Sequence, residues 1–274
     1  MADFGPHAGD IRSSIGLVAV TPHATAHTKG SWATQGGSTP DRVDGLYVTS
    51  VDFGNNSTRR TVLFDVGVGA GPTTLISNLM VCPSHVSAAN NLREVAQHVY
   101  FPVSLPPSEL FKMRAQSSLA SHPDVYAYVM PMKSGLPCVG SVVDTYGADT
   151  ANSRGTVLTA SGTDGVYGAW APITTSSERV KAFVLAFGHG QADYTTFTNQ
   201  WAIVDIGIGS AGSETEILMI ADIGASAGTG ILGQQWYGPY FIDIPAGTRI
   251  SARVRKQYTS ASQRTIDVIL YGIR

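Results

Sequence analysis

The sequence predicts an all-β protein built from two tandem homologous β-sandwich domains of jelly-roll or Greek-key type. Three observations support this prediction: strand-favouring residues are abundant, apolar and polar residues alternate along short segments, and one set of landmarks occurs twice. The chain has 274 residues, of which 43% are hydrophobic and 30 are Gly. A chain of this kind can bury a sizeable core and needs many turns.

The charge balance excludes several classes of protein. Charged residues make up 14% of the chain, and 18 Lys and Arg nearly balance 20 Asp and Glu. Near-neutrality argues against a disordered chain and against a nucleic-acid partner, which requires a basic surface. No segment resembles a signal peptide or an apolar membrane span, so we also expect no membrane partner. Cys82 and Cys138 are too few for a disulfide scaffold.

An internal repeat with offsets of 138 to 141 residues organises the chain. The octet VLFDVGVG at 62–69 returns as AIVDIGIG at 202–209. Four more landmarks recur in the same order: 29–32 with 167–170, 71–79 with 212–220, Tyr100-Phe101 and Pro106 with Tyr240-Phe241 and Pro245, and 125–129 with 266–270. Repeats of this length indicate duplicated structural units. We therefore predict an N-terminal arm at 1–10, unit 1 at 11–132, a linker at 133–153 and unit 2 at 154–274.

Alternation with a period of two predicts five strands in each unit. In unit 1 they lie at 46–53, 61–69, 99–105, 110–116 and 124–132. Their counterparts in unit 2 lie at 180–187, 201–209, 237–244, 248–257 and 265–273. This pattern is typical of half-buried antiparallel strands, and Gly-Pro, Pro-Pro and Pro-Ala-Gly turns separate them. We expect six to eight short strands per unit in all, a number that indicates a sandwich.

The repeated Asp-x-Gly-x-Gly element allows two interpretations. It comprises Asp65, Gly67 and Gly69 in unit 1 and recurs at 205–209 in unit 2. Calcium requires about six to eight oxygen ligands, whereas the motif supplies one carboxylate per unit. We therefore favour glycines that relieve crowding or allow a β-bulge over a cation site.

Catalytic and metal-binding motifs are weak. His23 and His27 are four residues apart, but their segment contains proline and has no third ligand, which favours a loop over a metal site. Cys82 with His85 or His98 would form a dyad that unit 2 does not repeat. GxSxG, HExxH and P-loop motifs are absent from the sequence. We predict no enzymatic activity and no cofactor.

An arginine stripe is a candidate interface. Strand alternation places Arg249, Arg253 and Arg255 on one face of a strand and apolar residues on the other. Lys112 and Arg114 repeat this arrangement weakly in unit 1. The stripe is either a solvent-facing strand surface or a cationic surface that meets carboxylates of another subunit or of an acidic glycan.

Aromatic residues supply the second candidate interface. Trp32 and Trp170 are repeat-equivalent, which favours core positions. Trp236, Tyr237 and Tyr240 have a less regular counterpart in unit 1. They either pack in the core or form a specialised contact with a partner.

Two segments resemble β-sandwich domains of tailed-bacteriophage virion proteins: DIGIGSAGSETEIL at 205–218 and YFIDIPAGTRISAR at 240–253. Unit 1 departs from the second, with Pro-Pro-Ser at 106–108 where unit 2 has Pro-Ala-Gly at 245–247. The resemblance implies a multicopy, non-enzymatic virion component, made in the host bacterial cytoplasm. It would be a head decoration, a fibre, or a tail, collar or baseplate subunit.

The expected partners are other virion proteins and copies of the chain itself, with host surface glycan as a further partner. Two alternatives remain open. One is a receptor-binding fibre module that recognises host glycan, and the other is a tandem-sandwich capsid shell protein.

Overall fold

Unit 1 consists of two antiparallel sheets. The structure is a computed structural model that describes residues 18–36, 39, 42–52, 61–81, 97–122, 124–132, 138–175, 177–188, 201–223, 235–256 and 265–274. The strands of unit 1 are β1 (Val18–Val20), β2 (Ala33–Gln35), β3 (Gly45–Asp52), β4 (Val62–Val68), β5 (Thr73–Val81), β6 (Gln97–Phe101), β7 (Phe111–Ser117) and β8 (Val125–Met132). Sheet 1A has the order β1-β8-β3-β6, and sheet 1B has the order β2-β7-β4-β5. Eight strands divided in this way between two sheets form a jelly roll.

Unit 2 repeats this strand order. Its strands are β10 (Thr156–Thr159), β11 (Ala171–Thr174), β12 (Ala182–Gly188), β13 (Trp201–Ile208), β14 (Thr215–Ile223), β15 (Gln235–Tyr240), β16 (Ile250–Lys256) and β17 (Thr265–Ile273). Sheet 2A has the order β10-β17-β12-β15, and sheet 2B has the order β11-β16-β13-β14. The predicted all-β, β-sandwich class is confirmed. The described residues contain no helix that could span a membrane.

The described part of the predicted linker, residues 138–153, is built into both units. Strand β9 (Val143–Tyr146) pairs with β17 of sheet 2A. Gly140 forms a parallel bridge with Val103 of unit 1, and Gln116 of unit 1 donates a hydrogen bond to the carbonyl oxygen of Thr150 at 2.8 Å. These residues therefore join the two sandwiches through regular hydrogen bonds.

Strand register corrects one landmark of the repeat. Phe101 lies opposite Leu46 in sheet 1A, whereas Tyr240 lies opposite Phe183 in sheet 2A. Because Leu46 and Phe183 hold equivalent positions, Phe101 matches Tyr240 and not Phe241. The one-residue shift has a physical cause, since the register between β12 and β15 is irregular between Phe183 and Leu185 and a bulge changes the count along one strand.

The central strands of sheet 2A, β12 and β17, are buried on both faces. Phe183, Leu185 and Phe187 of β12 point into the core of unit 2, whereas Ala182, Val184 and Ala186 belong to the apolar cluster of unit 1. Strands covered on both faces have continuous apolar sequences, and every residue of β12 is buried. The outer face of sheet 2A is therefore the surface that joins the units.

That outer face covers the edge of unit 1 formed by β5 and β6. The Tyr271 hydroxyl accepts a hydrogen bond from the Met80 amide at 2.9 Å and donates one to the Asn78 carbonyl at 3.0 Å. The Tyr271 ring also packs edge-on against Phe101, with ring centroids 6.0 Å apart. The Trp236 indole donates to the Met80 carbonyl at 2.9 Å. Edge strands need such cover because their outward backbone groups lack a neighbouring strand.

Candidate functional site

A buried carboxylate lies at the centre of a polar cluster on the outer face of sheet 1B. The side chain of Asp65 is 3% exposed and accepts hydrogen bonds from Lys29 Nζ at 2.7 Å and Arg114 Nε at 2.8 Å. The Asn78 amide donates a third bond at 2.9 Å. We call these four residues the Asp65 cluster. A buried carboxylate is stable only when it is paired and hydrogen-bonded, and both oxygens of Asp65 meet this condition.

Unit 2 contains an equivalent Asp205 cluster. Asp205 is fully buried and accepts hydrogen bonds from the Tyr167 hydroxyl at 2.8 Å and Arg253 Nε at 2.8 Å. Glu216 accepts a longer bond from Arg253 at 3.4 Å. Asp65 lies directly opposite Arg114 in the strand ladder, and Asp205 lies opposite Arg253. The repeat therefore preserves a cross-strand ion pair.

The motif glycines provide space for aromatic rings. A Cβ atom at Gly67 would lie 2.8 Å from the Trp32 ring, and one at Gly207 would lie 2.7 Å from the Trp170 ring. The β4–β5 and β13–β14 ladders both change register at these glycines. The prediction that glycines relieve crowding or allow a bulge is confirmed for Gly67 and Gly207, whereas Gly69 and Gly209 follow the strands with φ values of 92° and 118°. Among the described residues, no group of three or more His, Cys, Asp or Glu is arranged to hold a metal ion.

Arginine and aromatic side chains form a stacked ladder in unit 2. The Arg253 guanidinium carbon lies 4.4 Å from the Trp170 ring centroid and 4.2 Å from that of Tyr167. The Arg255 guanidinium carbon lies 4.8 Å from Tyr167 and 6.0 Å from Trp201. We call these five residues the cation–π ladder. Such stacking orients a guanidinium group and shields it from water.

The two repeat-equivalent tryptophans lie at the surface of the sandwich. Arg114 stacks on Trp32 at 4.5 Å, as Arg253 does on Trp170. Both tryptophans are half-buried, so the prediction of core positions is wrong. Each ring covers a glycine and an arginine on the outer face of its sheet and does not enter the space between the sheets.

Partners from the same unit neutralise two residues of the arginine stripe. Arg249 donates to Glu214 Oε1 at 2.7 Å, and Arg253 donates to Asp205. One of the two sequence interpretations placed the carboxylates that meet the stripe on another subunit or on an acidic glycan. They come instead from neighbouring parts of sheet 2B, because the turn before β14 and strand β13 lie beside β16. For Arg255, no hydrogen-bond partner of Nε is found among the residues that the structure describes.

The predicted aromatic interface divides into two parts. Trp236 contacts unit 1 through the hydrogen bond to Met80, so this specialised contact lies within the chain. Tyr237 packs on Phe187 and Tyr240 packs on Phe183, with ring centroids 5.3 and 5.6 Å apart. All three residues are half-buried, and burial raises the pKa of Tyr240.

The remaining candidate residues have bonds within the chain or lie outside the described residues. His23 Nδ1 accepts a hydrogen bond from the Thr25 amide at 3.0 Å, and His27 Nδ1 lies 3.0 Å from Ser153 Oγ. Residues 21–32 form a loop, as predicted. His98 Nδ1 lies 2.8 Å from Thr49 Oγ1, while Cys82 and His85 lie outside the described residues.

Burial changes the proton affinity of two groups in these clusters. It raises the pKa of Tyr167 to about 12, and the hydrogen bond to Asp205 adds to this effect. Burial lowers the pKa of Lys29, an effect that attraction to Asp65 opposes. The sequence interpretation did not identify Lys29 and Tyr167 as partners of the motif aspartates. The repeat could have identified them, because both residues precede a repeated tryptophan by three positions.

Comparison with known proteins gives little information about function. No protein-family model and no curated protein matches the chain. One similar solved structure is the CBM22-1–CBM22-2 tandem domain of Paenibacillus barcinonensis Xyn10C, with 10% identity, coverage of 93% of this chain and 97% of that chain, and a TM-score of 0.22. Another is infectious bursal disease virus strain Gx, with 14% identity and a TM-score of 0.23. This chain spans 58% of the viral chain, which covers 86% of this one. Neither likeness supports a functional argument.

Proposed function

We propose that the chain is a non-enzymatic structural component of a tailed-bacteriophage virion, acting through protein–protein contacts as a head decoration, a fibre, or a tail, collar or baseplate subunit. The observation that carries this proposal is the burial of β12 and β17, the central strands of sheet 2A, on both faces. Such burial makes two sandwiches into one body that presents several large sheet surfaces. A multicopy structural subunit needs a body of this kind.

The polar clusters support a structural role for the motif residues. Asp65 and Asp205 are saturated by donors of their own unit, and Arg249 is paired with Glu214. Their charges therefore stabilise the sheets and are not free to act as acid, base or nucleophile, which would require an accessible reactive group. Jelly rolls occur in viral capsid and lectin domains, although a fold by itself does not determine a function.

A receptor-binding fibre module that recognises host surface glycan is the second candidate. The cation–π ladder favours it because Trp170 and Trp201 are half-exposed, and unit 1 has Thr61 where unit 2 has Trp201. Half-exposed aromatic rings can stack against sugars, and arginine can bind their carboxylates. A capsid shell protein is a third candidate, supported by two jelly rolls in one chain.

Quantitative mass spectrometry of gradient-purified particles tests the leading proposal. The particles are those encoded by the genome that carries this chain, and the measurement is the copy number per particle. We expect several copies in a fixed ratio to the major head protein. Particles without the chain would contradict the proposal. Shell-level copy number would favour the capsid alternative, and binding of purified chain to host cells with inhibition of infection would favour the fibre alternative. Hydrolysis of a cell-surface polymer would overturn the non-enzymatic assignment.

A further inference from the structure

The two units differ in the burial of one equivalent edge. In unit 1, the edge formed by β5 and β6 is covered by sheet 2A and the β9 segment. Its apolar side chains are at most 9% exposed; they include Leu75, Ile76, Leu79, Met80, Val99 and Phe101. Polar side chains bind its backbone as well, since Thr145 Oγ1 donates to the Ser77 carbonyl at 2.7 Å. Unit 1 therefore has a closed edge.

Among the described residues, the equivalent edge of unit 2 is only partly covered, because Trp236 of β15 bonds Met80 of unit 1 while other apolar residues of the edge stay exposed. It consists of β14, β15 and the residue after β15. Met219 is 55% exposed and Phe241 is 53% exposed. The apolar residues beside them are only partly buried against the unit 2 core; they are Ile217, Leu218, Tyr237, Tyr240 and Ile242. Exposed apolar residues on edge strands mark an interaction surface.

The outer face of sheet 1A is the repeat equivalent of the outer face of sheet 2A, which covers the β5–β6 edge of unit 1. In sheet 2A, the covering face contains Val184 opposite Tyr271. The equivalent pair in sheet 1A is Tyr47 opposite Met130. Both residues of this pair are half-buried, whereas Val184 and Tyr271 are fully buried. The outer face of sheet 1A thus has the position of a covering face but is itself incompletely covered.

We infer that the outer face of sheet 1A in a second copy of the chain docks on the β14–β15 edge of unit 2. This contact would repeat between molecules the contact that sheet 2A makes within each molecule. It deepens the proposed structural function and rests on it. Tyrosine and methionine suit such a surface because they provide apolar area that also tolerates water in the free subunit.

The symmetry of this contact determines the product of assembly. The two surfaces, edge and face, are different, so the contact is heterologous. Heterologous contacts form rings when the rotation between subunits closes and filaments when it does not. Every subunit inside such an assembly uses both surfaces once, and each subunit that joins adds one edge–face contact.

Sedimentation velocity of the full chain over a range of concentrations tests the inference. We expect concentration-dependent association of the wild type. An edge variant, M219D/F241D, and a face variant, Met130→Asp, should each weaken association at least tenfold. The matched control is Val166→Asp, which changes a 46% exposed apolar residue beside the opposite edge of sheet 2B, where Gly165 bonds Lys256. Unchanged thermal unfolding establishes that each variant is folded.

A mixing experiment provides the sharper result. The edge variant keeps its face and the face variant keeps its edge, so an equimolar mixture can form one contact. It should give heterodimers and nothing larger. A wild type that stays monomeric, or association that all three variants leave unchanged, would overturn the inference. Association lost only when the predicted N-terminal arm, residues 1–10, is deleted would overturn it too, since the arm would then be the occupant. A monomeric chain found in particles contradicts this inference alone, whereas a self-associating chain absent from particles contradicts the proposed function.

Discussion

Asp205 and Arg253 lie directly opposite each other on adjacent strands, joined by a 2.8 Å hydrogen bond between Arg253 Nε and a carboxylate oxygen of Asp205 that is fully buried. Unit 1 repeats the pair as Asp65 and Arg114. The most regular element of the sequence repeat is therefore an internal ion pair of each sandwich. This explains why the single aspartate of each motif has no free charge for a ligand.

Removal of the Asp205 carboxylate should destabilise unit 2. Asp205→Ala leaves Arg253 beside the Tyr167 hydroxyl without its main counter-ion, and losing one partner of a buried pair costs about 3 kcal/mol. Urea unfolding measures the change in free energy. The control is Asp243→Ala, which breaks an exposed pair with Arg179 and should cost less than about 1 kcal/mol. Equal losses in the two variants would contradict the structural role of Asp205.

Because Arg253 is bonded to Asp205, its substitution is a poor test of the arginine stripe as an interface. Arg253→Glu would place a third carboxylate beside Asp205 and Glu216, so loss of assembly in that variant would reflect unfolding. Arg255→Gln is the appropriate substitution for the glycan alternative, because Arg255 stacks on Tyr167 and Trp201 and is not bonded to Asp205 in the described contacts.

Insertion of one methyl group at Gly207 should displace the Trp170 ring. The new Cβ would lie 2.7 Å from that ring, so the ring must shift, and overpacking of this kind costs about 1–3 kcal/mol. Thermal unfolding and tryptophan fluorescence measure the effect. At Gly71, nothing lies within 4 Å of an added Cβ, so Gly71→Ala should be within about 0.5 kcal/mol of wild type. A neutral Gly207→Ala variant would contradict close packing of this ring.

The Tyr167 hydroxyl should make unit 2 sensitive to alkaline pH. Its pKa is raised from 10.0 to about 12, so the unfolded chain loses this proton at lower pH than the folded chain. The resulting stability is fully present below pH 10 and is lost as pH rises towards 12. Tyr167→Phe should therefore show a shallower decline in melting temperature over that window. Burial also raises the pKa of Tyr100 to about 12, so part of the decline in melting temperature should remain in the Tyr167→Phe variant. An unchanged slope would show that the Tyr167 proton does not contribute.

The contact between the units depends on Tyr271. Tyr271→Phe removes the hydroxyl that bonds the Met80 amide and the Asn78 carbonyl, and unsatisfied buried backbone groups cost about 1–3 kcal/mol each. Hydrogen exchange should show faster exchange of the Met80 amide. Amides of β14, the equivalent strand of unit 2, serve as an internal control and should exchange at the wild-type rate. Unchanged protection of Met80 would contradict this contact.

Alternation and repetition in the sequence predicted ten of the strands, including β12, which is buried on both faces. Strands β3, β4, β6, β7, β8, β12, β13, β15, β16 and β17 correspond to the ten predicted segments. Strands β5 and β14 were missed because the β5 residues Ile76, Leu79 and Met80 do not alternate, and Asn78 lies between them with a φ of 54°. Strands β1, β2, β9, β10 and β11 have three or four residues each, too few to show a period.

The candidate site was predictable only in part. The sequence identified Asp65, Asp205 and the motif glycines as a structural element, since local spacing determines their positions in a strand. It did not identify Glu214 as the partner of Arg249, because that pair joins residues that are 35 positions apart. Burial of β12 and β17 on both faces could not be predicted from the sequence either, because alternation within one strand does not indicate which other unit covers its second face.

Electron cryo-microscopy of particles encoded by the genome that carries this chain tests the central claim most directly. We expect regularly placed copies, each with two adjacent jelly rolls, in which the outer face of sheet 1A of one copy lies on the β14–β15 edge of the next. Particles in which no density fits the paired sandwiches would contradict the claim.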